Sequence, residues 1–108
     1  LNFKNANLRA IELLKEKFPN NEIGYSDHSI GNLASITAIS LGATIIEKHF
    51  TLNKSALGTD HILSATCQEL KELKKISNDI LLLRGIRQKI PTKKEKKIKY
   101  FLRNRFKN

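Results

Sequence analysis

The sequence predicts an α/β fold with parallel strands, and a slice of a larger sheet rather than a sheet complete in itself. Three observations predict it. Helical and extended patterns alternate along the chain, which is the signature of α/β folds. Only two stretches read as strands, and two parallel strands would leave their edges unpaired and one face wet, whereas parallel strands are normally covered on both faces. The 108 residues open on Leu1-Asn2-Phe3 and contain no Met, which suits a piece of something longer. The length allows one small domain at most.

Residues 5–18 read as a helix, because Leu8, Ile11, Leu14 and Phe18 recur at three and four while Lys and Glu fill the other side. Pro19-Asn20-Asn21 stops it. Glu22 to Ser26 is short and β-favouring and reads as the first strand. Asp27 to Asn32 is rich in turn formers. A second helix fits 33–41, with a broad apolar face from Leu33, Ala34, Ile36, Ala38, Ile39 and Leu41, and Gly42 stands where a helix C′ residue belongs. Thr44 to Lys48 is the second strand. A long loop runs from Phe50 to about Ala65. Thr66-Cys67-Gln68-Glu69 is a capping-box pattern that opens the third helix. Leu70, Leu73, Ile76 or Ser77, Ile80 and Leu83 are its expected buried stripe, and Arg84-Gly85 ends it.

The charge is uneven. Residues 1–83 carry 9 basic and 9 acidic side chains, whereas 84–108 carry 11 basic residues and one acid, Glu95. The net charge of +10 is therefore a property of the tail alone. Tyr100, Phe101 and Phe106 lie among those cations and could stack on single-stranded nucleic acid. No nucleic-acid-binding motif accompanies them, so a solvated linker is the favoured reading and nucleic acid is not an expected partner. A single Cys excludes an internal disulfide framework and suits a reducing compartment. No run approaches the ~18 apolar residues of a membrane span, and no signal-peptide pattern opens the chain.

Candidate chemistry gathers after the strands. Side chains alternate along a strand, so Gly24, Ser26 and His28 share one face, and Ile45, Glu47 and His49 share one face of the next. A right-handed βαβ crossover places such strands side by side or nearly so, ~4.8 Å apart if adjacent. Two imidazoles at matching heights could then reach one metal ion, provided that no bulge shifts the parity. Binding sites of α/β folds collect at the carboxyl ends of the strands, where Ser26, His28, Glu47, His49 and the loop acid Asp60 fall. The alternative is that each histidine is a hydrogen-bonded residue near a loop. The lesser alternative for Glu47 is an ion pair with a lysine of the surrounding fold. Asp27 falls on the opposite parity and reads as a turn or helix-capping residue.

Gly24-Tyr25-Ser26-Asp27-His28-Ser29-Ile30-Gly31, followed by Leu41-Gly42-Ala43-Thr44-Ile45-Ile46-Glu47-Lys48-His49-Phe50-Thr51-Leu52, resembles the sialic acid synthase family: the N-acetylneuraminate synthases with their legionaminate and pseudaminate relatives. The 21-residue step from His28 to His49 matches the family spacing. Asn7 to Ile11 and Phe18-Pro19 also fit, and the resemblance covers about residues 6–85. It implies a C-terminal fragment of a (β/α)8 TIM barrel, with the last two strands and helices preceded by the end of the sixth helix. Residues 1–85 would be those last βα units, and 86–108 a basic remnant of the linker to an antifreeze-like domain. The implied reaction is condensation of phosphoenolpyruvate with N-acetylmannosamine or a related N-acetylated aminosugar, giving a nine-carbon 2-keto acid and phosphate. The resemblance makes His28 and His49 the ligands of a divalent metal, Mn2+ or Mg2+. It makes Ser26 a hydrogen-bond donor to the phosphoenolpyruvate phosphate, and Glu47 and Asp60 acids that face the sugar and the metal-bound water.

Some positions depart from the family pattern. Thr59 replaces a usual proline beside Asp60, while His61 is retained. Cys67 stands where proline or aspartate is common and reads as a helix-start residue, not a nucleophile. The tail, with Arg103 as its last matching residue, does not run on as the family does. A full barrel takes ~250 residues. The expectations are therefore a fragment from a truncated, split or disrupted gene, inactive alone, or a scaffold complementing a separately encoded barrel half. The intact enzyme is expected to be a cytoplasmic homodimer.

Overall fold

The computed structural model describes residues 2–54 and 64–86. Asp60, His61, Thr59 and nearly all of the basic tail lie outside the described residues. The element order is a short 3-10 turn Phe3–Asn5, α1 (Ala10–Lys17), β1 (Gly24–Asp27), α2 (Leu33–Ser40), β2 (Ile45–Lys48) and α3 (Cys67–Arg84). The two strands pair in parallel, with Gly24 opposite Ile45, Ser26 opposite Glu47 and Asp27 opposite Lys48.

The first helix is shorter than its periodicity predicts. Asn7 has φ 46°, a left-handed conformation that a helix cannot propagate through. Asn2 caps the preceding 3-10 turn by accepting from the Lys4 amide, and α1 proper begins only at Ala10. Its end obeys the proline rule. Phe18 precedes Pro19, so it is pushed off the helical region, to φ −127° and ψ 63°. Of the expected stripe only Ile11 is buried, while Leu14 and Phe18 remain exposed. Ile11 packs with Ile23, Ala38 and Ala43, joined by Leu8, Tyr25, Leu41 and Ile46.

Helix α2 ends as its sequence demands. The Gly42 amide bonds to the Ile39 carbonyl and the Ala43 amide to the Ala38 carbonyl, a Schellman closure. Gly42 carries the positive φ of 115° that the closure requires. The chain then turns directly into β2. Ala34, Ser35, Ala38 and Ile39 are buried, whereas Leu33 is exposed.

Thr66 caps α3, its hydroxyl oxygen accepting from the Glu69 amide at 3.2 Å. Leu73 and Ile80 bury against Ile39, with Ile36, Ile46 and Ile76 at the margin. Leu83, expected in that stripe, is 85% exposed. Helix α2 stops at Ser40, so the last turn of α3 meets only its end, and there Arg84 reaches the Ile39 carbonyl at 3.3 Å. Helices α2 and α3 thus cover one face of the strand pair and leave the other open.

Candidate active site

The strand alternation sorts the site. Tyr25, Asp27, Ile46 and Lys48 point towards the helices, whereas Gly24, Ser26, Ile45 and Glu47 point to the open face. His28 and His49 follow immediately and keep the open-face parity. Their rings are edge-to-face, with centroids 5.5 Å apart. Ser26, His28, Glu47, Lys48 and His49 line a cleft of about 110 Å3. The four sequence-predicted residues among those described therefore come together.

Their hydrogen bonds constrain the protons. The Ser26 hydroxyl donates to Glu47 Oε1 at 2.8 Å. The same oxygen lies 3.0 Å from His28 Nε2. A serine carries one proton. With that proton on the Glu47 side, the His28 contact is a hydrogen bond in the tautomer that carries the ring proton on Nε2 and donates it to Ser26. The result is a directed chain from imidazole through hydroxyl to carboxylate, one that can pass a proton along its length or let the hydroxyl exchange one acceptor for another. The ion pair weighed for Glu47 does not form with its strand neighbour: Lys48 turns to the other face and pairs with Asp27 at 3.2 Å.

Asp27 proves to be more than a turn residue. It does accept from the Ser29 amide, at 2.8 Å, as a turn-forming aspartate would. It does not cap α2, whose N-cap is Asn32. The residue is 1% exposed, and its carboxylate also accepts from the Ser29 and Ser35 hydroxyls and from Lys48. Burial alone would raise its pKa, but these hydrogen bonds from Ser29, Ser35 and Lys48 outweigh burial and hold the carboxyl below its usual range. Burial, and then the Asp27 charge, push the Tyr25 hydroxyl up. Sequence reasoning missed Lys48, Ser29 and Ser35 as members of this network. The available signal was a lysine at the covered parity of a strand, one rung across from an aspartate of the same parity.

The loop after β2 is tied down beside His49. The Ala65 amide donates to the His49 carbonyl at 2.7 Å, and the Thr51 amide donates to the Ala65 carbonyl at 2.9 Å. Both flanks of the segment that holds Asp60 therefore meet at the site.

The donor set fits a divalent ion of the Mn2+ or Mg2+ type only in a partly protein-built shell. Neutral imidazole ligates first-row ions such as Mn2+ more readily than Mg2+, which prefers oxygen donors, and water can fill the remaining positions. Among the described residues no group of three or more His, Cys, Asp or Glu side chains could hold a metal. His28 and His49 would thus be two ligands of a shell completed from elsewhere. Cys67 is exposed at the start of α3, in keeping with a helix-start role.

Comparison with known proteins gives a consistent picture. The NeuB family model matches residues 1–89. The N-acetylneuraminate-9-phosphate synthase of Drosophila melanogaster is 50% identical over 70 residues, which are 65% of this chain and 19% of that protein. The N,N'-diacetyllegionaminic acid synthase of Legionella pneumophila is 37% identical over 101 residues, 94% of this chain and 28% of its own. The crystal structure of the N-acetylneuraminic acid (sialic acid) synthetase from Leptospira borgpetersenii, in complex with citrate, superposes with a TM-score of 0.89 at 36% identity. That superposition covers all of this chain and 37% of the synthetase. The chain spans less than two fifths of each of these relatives. The α/β class, the parallel pairing and the barrel setting implied by the motifs are those of the matching part of the synthetase.

Proposed function

The chain belongs to the NeuB family, and from that premise we propose that it supplies the metal-binding, phosphate-facing wall of a sialic acid synthase-type active site. The reaction would join C3 of phosphoenolpyruvate to the aldehyde carbon of an open-chain N-acetylated aminosugar. Water would add at C2 and phosphate would leave, giving a nine-carbon 2-keto acid. N-acetylmannosamine is the first substrate to test, with the legionaminic and pseudaminic acid precursors as alternatives.

The observation that carries this reading is the convergence of Ser26, Glu47, His28 and His49 on one open face, with the rings 5.5 Å apart and Ser26 bonded to Glu47 at 2.8 Å. His28 and His49 would hold the divalent ion. When bound, it would polarise the sugar aldehyde as a Lewis acid. Ser26 would turn its proton from Glu47 to a phosphate oxygen, adding a donor without adding charge. Glu47, released from Ser26, would accept from a sugar hydroxyl or from water and serve as the proton acceptor on this wall. Asp60 is assigned the matching role from the adjoining loop.

The test has two arms. The chain is titrated with Mn2+, monitored by electron paramagnetic resonance, alongside H49A. Turnover is then measured in a full-length synthase carrying these residues. Binding and turnover are expected to fail in H49A, while Cys67→Ala retains both. Unchanged metal affinity in H49A would remove the ligand assignment. The chain by itself is expected not to turn over, since these residues form one wall of a site, and robust synthesis by the purified 108-mer would overturn that.

A further inference from the structure

We propose that the buried Asp27–Lys48 pair is a positioning device that holds His28 and His49 within reach of one another. Asp27 and Lys48 face each other across the β1–β2 register, and each is followed directly by one of the two histidines. The side chains are 0% and 2% exposed and lie on the covered face of the strands, away from the open-face parity of Ser26, Glu47 and the histidines.

The network is saturated. The Lys48 ammonium has three N–H groups, and it donates to Asp27 Oδ2 at 3.2 Å, the Ser29 carbonyl at 2.8 Å and the Gly31 carbonyl at 2.9 Å. Asp27 accepts from Lys48, from the Ser35 hydroxyl of α2, and twice from Ser29. His28 is thus bracketed in the backbone by two residues that Lys48 grips, and Lys48 is itself the residue before His49. The loop that carries one imidazole is bound to the strand that carries the other.

Stability alone is a poor reason for such a pair. A buried ion pair is often no more stabilising than well-packed apolar side chains of the same volume. A fully satisfied polar network does, however, select one arrangement of the groups it joins. Here the arrangement selected is the end of β1 against the end of β2, which sets the separation of the rings. Asp27 and Lys48 are positioning residues, acting through the histidines.

The experiment uses the 108-residue chain with ring-labelled histidine. The nuclear Overhauser effect between the His28 and His49 rings is recorded without metal, and Mn2+ affinity is measured separately. Lys48→Met removes the grip but leaves the Asp27 charge buried without its cation, which by itself destabilises the fold. The double variant Asp27→Asn/Lys48→Met removes both charges and keeps the fold testable by circular dichroism. The wild type is expected to show the ring–ring effect, and the folded double variant is expected to lose it and to bind Mn2+ at least about tenfold more weakly. A pair that served stability alone would lower the melting temperature and leave the ring–ring effect intact in the folded fraction. That result, with Mn2+ affinity within twofold of wild type, overturns the proposal, as does absence of the effect in the wild type. The metal readout rests on the synthase reading and the ring readout does not. A wild type that shows the ring–ring effect, loses it in the double variant and never binds Mn2+ would sink the metal assignment and support the positioning role.

Discussion

Ser26 has one proton and two polar neighbours, Glu47 that accepts it and His28 whose Nε2 lies 3.0 Å from its oxygen, so its hydroxyl links those two groups of the cleft. Removing the hydroxyl separates Glu47 from His28 without touching either strand. Ser26→Ala in a full-length synthase carrying these residues is expected to raise KM for phosphoenolpyruvate about 10- to 100-fold, the value of a hydrogen bond to a charged group, with a smaller change in KM for the sugar. Steady-state kinetics with each substrate varied in turn checks this, and an unchanged phosphoenolpyruvate KM would contradict the phosphate role. The open-face residues were legible because alternation along two strands is a strict period of two, and neither strand carries a bulge that breaks it. Asp27 was only half legible. Its sequence context reads as a turn, which it forms with Ser29, but the partner that changes its meaning lies 21 residues away on another strand. Local pattern cannot supply that pairing; only the register of Asp27 opposite Lys48 does.

Helix ends were read with uneven success, and the reason differs at each end. Gly42 announced the end of α2 because the closure needs a positive φ, and glycine alone adopts it without strain. A Cβ there would also come within 2.6 Å of the Lys15 side chain. Gly42→Ala is expected to cost about 1–3 kcal/mol from backbone strain, measurable by urea denaturation. A cost near zero would mean that the turn into β2 has another route. Thr66 was legible through its capping pattern, and here a pH dependence follows. The Lys54 ammonium lies 2.6 Å from Glu69 Oε1 and, despite some burial, holds the Glu69 carboxyl below its ordinary value, with help from Thr66. A carboxyl whose pKa is lower in the folded state stabilises the fold above its unfolded value of about 4.3 and loses that contribution as the pH falls through the folded one. The difference in melting temperature between wild type and Glu69→Gln should therefore shrink on acidification from neutral pH. A difference that is flat with pH would show that the Lys54 contact does not matter to the fold. The start of α1 was not legible, because periodicity runs on through Asn7 while its backbone does not. The last turn of α3 was misread for a different reason: the period continues to Leu83, but α2 has already ended.

On the scale of the whole molecule, the surface carries two unreconciled features. The covered side of the sheet leaves an apolar groove of about 340 Å3, lined in part by Ile39, Ile46, Leu70, Leu73 and Leu81. Leu82 is 81% exposed and Ile45 stands open on the other face. A two-stranded sheet is marginal on its own and leaves strand edges available for pairing. No helix among the described residues is long and apolar enough to cross a membrane. Against this apolar surface stands the net charge of +10, concentrated in residues 84–108, which drives copies of the chain apart. The two forces differ in their response to salt: charge repulsion is screened within a Debye length, whereas apolar contact is not weakened by it. The purified chain is therefore expected to be more dispersed at low ionic strength and to associate as salt is raised, with dye binding to exposed apolar surface at both. Sedimentation velocity across a salt series measures this. The same series separates the remaining reading of the basic segment, because binding of a nucleic acid strand would weaken with salt in proportion to the counterions released. A chain that stays monomeric at every salt concentration, with no dye binding, would mean that the apolar groove is closed in solution, and the case for a surface completed by the rest of a barrel would fall with it.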